Sequence, residues 1–136
     1  MSAHSVLGPF SAATYARLTG DVPFMALAHA VFDDVPEGQA FPYVTFGEAT
    51  ENAWDTFGQD GSDATLTMHV WSRYHGYSEA QAINAAMIGL LDNQTGLAMT
   101  GYATVLLNFE SSQQLRDPDG ITRHIVTRFR VMADAT

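Results

Sequence analysis

The sequence predicts an α+β fold, a mainly antiparallel sheet of about four to five strands packed against helices. Three observations carry this expectation. Apolar and polar residues alternate in separate stretches, "YVTFGE", "ATLTMHVWS", "YATVLLNFE" and "ITRHIVTRFRVM", the period of a strand that buries one face. A segment from Ser78 to Leu91 instead carries its apolar residues at helical spacing. The strand-like stretches are joined by hairpin punctuation, above all "RDPDG".

In chain order, Phe10 to Leu18 reads as a short helix, capped by Ser11 and ended by Gly20. "VPFMALAHAVF" follows as a second helical turn leading into a short strand near Ala30 to Asp33. "DDVPEGQAFP" is a connection punctuated by Pro36, Gly38 and Pro42. In "YVTFGE", Val44 and Phe46 share one face while Tyr43 and Thr45 share the other. "NAWDTFGQDGSD" breaks the alternation and reads as a long hairpin loop. In the next strand Leu66, Met68 and Val70 share one face, opposite Thr65, Thr67, His69 and Trp71. Ser78 is placed to cap the following helix, with Gln81 completing a capping box and Glu79 near the positive end of the dipole. Its stripe is Ile83, Met87, Leu90 and Leu91. The last third is a hairpin. Ala103, Val105, Leu107 and Phe109 share a face of its first strand. In its second, Ile125, Phe129 and Val131 oppose His124, Arg128 and Arg130. Pro118 and Gly120 suit the second and fourth positions of a type I turn.

The 136 residues suit one domain, spanning 1–136. With no cysteine there is no disulfide, thiolate metal site or cysteine nucleophile. No basic residue precedes Arg17 and no long apolar core follows the first methionine, so a signal peptide is not expected. Apolar runs such as "AAMIGLL" fall well short of a membrane span. The formal charge is −9, and all six cations are arginines. An acidic chain repels phosphate, which disfavours nucleic-acid binding as the main task. The charge is uneven: nine acids and one arginine precede Ala64, whereas Arg116 to Arg130 holds four arginines and two acids. Such asymmetry suits either a solvated acidic surface or contact between opposite parts of neighbouring copies.

Chemistry is densest in "HVWSRYHGYSEAQAINAA", His69 to Ala86. His69 and His75 invite a metal reading, but one lies in a strand and the other in a turn, and no third ligand presents itself. A polar strand neighbour and a loop residue describe them more simply. No nucleophile elbow, paired-carboxylate site or phosphate loop is present, so no catalytic residue, metal or cofactor is assigned. The loop aromatics Trp54 and Phe57 are either tucked onto the sheet or held out for a partner. Arg73, Tyr74 and His75, at a turn, and Arg128 and Arg130, in a row on the last strand, are the other candidates for a subunit or partner interface. These features favour an assembly module over an enzyme.

"VFDDVPEGQAFPYVTFGE", Val31 to Glu48, resembles the signature of phage tail-completion and tail-terminator proteins. The downstream order is similar too: a strand ending in "HVWSRYHGY", a helix of the "SEAQAI" type, then a hairpin with "RDPDGITRHIVTRFRV". The resemblance runs from about Leu18 to Met132. It implies a tail-terminator-like α+β subunit of a homo-hexameric ring in the virion tail or neck, assembled in the host cytoplasm. The implied ring caps the tail-tube protein, ends tube growth and joins the tail to a head connector or stopper protein. DNA would pass through its lumen without specific binding. Related proteins occur in gene transfer agents, and the family brings no catalytic residues. A tail-tube or head–tail connector subunit is the alternative of the same class; a small metal-dependent enzyme using His69 and His75 is the alternative of another.

Overall fold

The computed structural model describes residues 5–136. Helix α1 spans Leu7–Thr19 and α2 spans Val22–Ala28. Strands β1 (Val31–Phe32), β2 (Tyr43–Ala53) and β3 (Gly61–Ser72) follow. Helix α3 (Ser78–Leu91) leads to β4 (Tyr102–Arg116) and β5 (Arg123–Ala135). The strands form one five-stranded sheet in the order β1-β2-β3-β5-β4. All neighbours are antiparallel except β1 and β2, which run parallel. The sheet is therefore mixed but mainly antiparallel, the α+β architecture that the alternation and turn chemistry predict. None of the described helices is long and apolar enough to cross a membrane.

Both helical starts differ from the sequence expectation for the same physical reason. α1 begins before Ser11, because the carboxylate of Glu51, far along the chain, accepts hydrogen bonds from Val6 N at 2.6 Å and Ser5 Oγ at 2.9 Å. That acid satisfies a free N–H and sits where the helix dipole favours it. Ser11 lies inside the helix and caps nothing. Gly20 does close α1, donating to Ala16 O at 3.0 Å. α2 has a local cap: Asp21 accepts from Phe24 N at 3.0 Å, with Pro23 in the first turn.

In α3, Ser78 is the first helical residue and Tyr77 the N-cap, with no side-chain cap bond. Gln81 bonds Gln114 at 2.8 Å instead of reaching back to the helix start. Ser72, at the end of β3, donates to Glu79 at 2.7 Å. The helix start is thus fixed by the strand before it rather than by a capping box.

The three helices form a layer on one sheet face, with α3 lying across β3, β5 and β4. Ala80, Ile83, Met87 and Leu91 of α3 are buried, and Leu90 is half-buried. They meet Leu66, Met68 and Val70 of β3 and Ile125, Phe129 and Val131 of β5, all 3% exposed or less. Phe10 and Leu18 of α1 and Phe24 of α2 complete the core. Thr127 Oγ1 also donates to Asn84 on α3 and shares a bond with Ser112 on β4, tying helix to sheet.

Two strands are longer or less regular than expected. The β2–β3 hairpin pairs out to Ala53↔Ser62, so the loop read over Asn52 to Asp63 shortens to residues 54–60. The expected single face of β4 is split. Irregularities between Thr104 and Leu106 and between Phe109 and Ser111 insert extra residues. Leu107 and Phe109 face core partners Val131 and Phe129, while Val105 is the extra residue and stays 44% exposed.

Candidate assembly surface

Among the described residues, no helix covers the second sheet face. β3 and β5 supply its centre, because their alternation turns Thr65, Thr67, His69 and Trp71 outward beside His124, Arg128 and Arg130. Register brings Trp71 opposite His124 and places His69 one step along. The Trp71 and His124 rings stack with centroids 3.7 Å apart and planes 14° from parallel. His69 Nδ1 and His124 Nε2 are 2.6 Å apart. Trp71 Nε1 donates to Thr45 Oγ1 on β2 at 3.0 Å. His69 fits because Gly47 faces it; a Cβ there would lie 2.3 Å from His69 Nε2.

Burial pushes the pKa of His69 down, opposed by the nearby charge of Glu48. Burial does the same to His124, reinforced by His69 and opposed by Asp117. The bond between them needs one ring to donate and the other to accept, which two imidazolium rings cannot do. Since the folded values lie below the ordinary 6.5, the unfolded chain takes up protons first on acidification. Stability from this pair is therefore complete above the ordinary value and lost as pH falls from there through the lower folded values. The urea midpoint is expected to start falling as pH drops below about 6.5, before most carboxylates titrate. The double change His69→Gln with His124→Gln is expected to flatten that drop; an unchanged slope would place its origin elsewhere.

Beyond Trp71 the open face ends in a groove of about 530 Å³ between the connection after β1 and the β4–β5 turn. Phe41, Tyr43 and Trp71 wall it, and Asp33, Asp34, Asp117 and Asp119 rim it. The turn is the one its proline and glycine predict: Gly120 N donates to Asp117 O at 3.0 Å. Asp119 is held ionised, with a pKa lowered to about 2 by the backbone N–H and hydroxyl of Thr122 and the N–H of Ile121. Arg73 lies across the groove, 4.5 Å above the Phe41 ring, donating to Thr122 Oγ1 at 3.1 Å and 3.7 Å from Asp119.

The candidate residues fall at three places. Arg73, Tyr74 and His75 follow β3, where Tyr74 is 54% exposed and tilts against the His75 ring. Trp54 and Phe57 lie before β3, roughly 36 Å away along a strand of this length. Phe57 is fully exposed; Trp54 is half-buried against Gly61. Arg128 and Arg130 lie between these ends on β5. Arg130 makes a two-pronged ion pair with Asp63 at 2.7 and 2.9 Å, which lowers the pKa of Asp63. Arg128 is exposed, and its side chain makes no hydrogen bond or ion pair among the described residues. His69 pairs with His124 rather than His75, a partnership that only the β3–β5 register creates. The described residues hold no cluster of three or more potential metal ligands.

The sequence matches the family described as Tail completion protein gp17 over residues 12–134. The tail completion protein gp17 of Bacillus phage SPP1 is 26% identical over 118 residues, 87% of each chain. A chain from the virion of a native gene transfer agent particle superposes with a TM-score of 0.88 at 27% identity, covering 98% of this chain and 100% of that one. The structure of SPP1 gp17 superposes at 0.61 with 24% identity, covering 92% and 90%, a likeness of fold.

Proposed function

Since the chain belongs to the tail completion protein gp17 family and is a structural protein of the virion tail and neck, not an enzyme, we propose that it is the terminator of a tail tube. In this reading its copies close into a hexameric ring at the head-proximal end, end tube growth and present a surface to the head connector or stopper protein. Assembly takes place in the host cytoplasm. The observation that carries the reading is the likeness to a chain of a gene transfer agent virion over 98% of this chain and 100% of that one. A closed ring needs two different surfaces on each subunit, one for each neighbour. The two sides of this sheet are different strands, β1 and β4, as that requires.

The net charge of −9 supports passage of DNA without specific binding, because a polymer that is not gripped can slide. Negative-stain microscopy and light-scattering mass of the purified protein, alone and with tail tubes, test the reading. Finite rings, and tubes capped at one end, are expected. Unlimited polymerisation into tubes would overturn it in favour of a tube subunit, and binding to connectors but never to tubes in favour of a connector subunit.

A further inference from the structure

One row of the sheet carries an exposed arginine on β5, next to the edge strand β4, and exposed carboxylates at the opposite side. Ser111 on β4 pairs with Arg128 on β5, and Arg128 pairs with Thr67 on β3. Thr67 falls where β2 bulges at Gly47 and Glu48, between the pairs Phe46↔Met68 and Ala49↔Leu66. Beyond β2, Asp33 continues β1 past the pair Phe32↔Thr45 and reaches Phe46 and Gly47. One row thus runs from the exposed Arg128, which has no side-chain partner among the described residues and lies near the bulged Glu110 of β4, to exposed carboxylates at the β1 side.

The β1 end of that row is also the rim of the aromatic groove. Among the described residues its rim holds four aspartates against Arg73 alone, and Arg73 is spent on Asp119 and Thr122. Asp33, Asp34 and Asp117 make no side-chain hydrogen bond or ion pair among the described residues. The groove already displays how it holds a guanidinium, with Arg73 flat over Phe41 and a carboxylate at its side.

We propose that this groove is the socket for a second copy of the chain, which inserts Arg128 between Asp33 and Asp34. The proposal rests on the ring reading and names the contact that closes it. Copies set side by side turn the β4–β5 side of one toward the β1 side of the next, and the register places Arg128 within one residue of the rows of Asp33 and Asp34. The contact is heterologous, so it propagates around a ring rather than ending in a dimer. Charge chooses the occupant: the socket is acidic, and Arg128 is a free cation on the opposite side.

Charge reversal with rescue tests this. Arg128→Glu is expected to lower the assembled fraction, in rings or tube caps, at least about tenfold, because like charges then meet. Asp33→Arg with Asp34→Arg is expected to do the same. All three positions are exposed, so circular dichroism should remain that of the parent. The combined triple variant is expected to recover assembly to within about threefold of the parent. Reversals without effect, or a triple variant that stays unassembled, would overturn the socket. So would rings that persist while tube capping is lost, which would assign the groove to the tube protein. The parent protein is run alongside: if it assembles and the variants are indifferent, only the socket fails. If the parent itself neither forms rings nor caps tubes, the ring reading fails and the socket with it.

Discussion

Replacing Phe129 with alanine is expected to cost about 3–5 kcal/mol of unfolding free energy, as large aromatic truncations in a closed core do. Phe129 is fully buried on β5, the strand that lies between β3 and β4. It pairs with Leu66 on one side and Phe109 on the other, meeting the Phe109 ring edge-on with centroids 6.3 Å apart. α3 covers it from above, so the cavity cannot be filled by a side chain swinging in from solvent. A loss of that size is a large share of the roughly 5–15 kcal/mol that holds a domain folded. The urea midpoint should fall by about 2 M. The same truncation at Phe57, which is fully exposed, should move stability by no more than about 0.5 kcal/mol. A midpoint for Phe129→Ala near that of Phe57→Ala would mean that the core is not organised around β5. Because β5 also carries His124, Arg128 and Arg130, loosening it should blur the open face as well.

The parts of this fold that were legible in the sequence are those where one local rule decides. β3 and β5 bury one face each, so Leu66, Met68, Val70, Ile125, Phe129 and Val131 stand out by alternation. The turn at Asp117 to Gly120 follows from Pro118 and Gly120 alone. What could not be read depends on distant partners. The start of α1 is held by Glu51, and that of α3 by contacts from Ser72 and Gln114. The far half of β2 is exposed on both faces, so Ala49 to Ala53 carries no alternation to reveal a strand. The bulges of β4 shift its faces without a glycine or proline to mark them.

The same division runs through the surface. The sequence places Arg128 and Arg130 on one face, and the structure agrees, but only the register shows that Asp63 occupies Arg130 while Arg128 stays free. That difference matters for experiment. Arg130→Glu would set two carboxylates against each other across the strand pair and disturb folding, whereas Arg128→Glu changes only what a neighbour meets. Asp33 and Asp34 read as ordinary turn acids, and only the groove gives them a common direction.

The second large effect is expected at Gly61, the first residue of β3. A Cβ added there would lie 2.5 Å from the carbonyl oxygen of Trp54 and 3.0 Å from that of Ala133. Both are backbone atoms, one across the hairpin and the other on β5, so neither can rotate away. The site is also closed by bonds: Trp54 N donates to Gly61 O at 3.0 Å, and Gly61 N donates to Asp55 Oδ1 at 3.2 Å. Gly61→Ala is therefore expected to destabilise the protein by about 1–3 kcal/mol, the range for overpacking. It should also release the 54–60 loop, seen as faster amide exchange there and altered fluorescence from Trp54. Gly89, in the last turn of α3, has nothing within 4 Å of its would-be Cβ. The identical change there removes backbone freedom from the unfolded chain and should stabilise by about 0.5–1 kcal/mol. The two glycines make opposite predictions from one substitution, so a common effect such as altered solubility cannot produce both. If Gly61→Ala unfolds no earlier than the parent, the hairpin has room to shift, and Trp54 is not held where its backbone now fixes it.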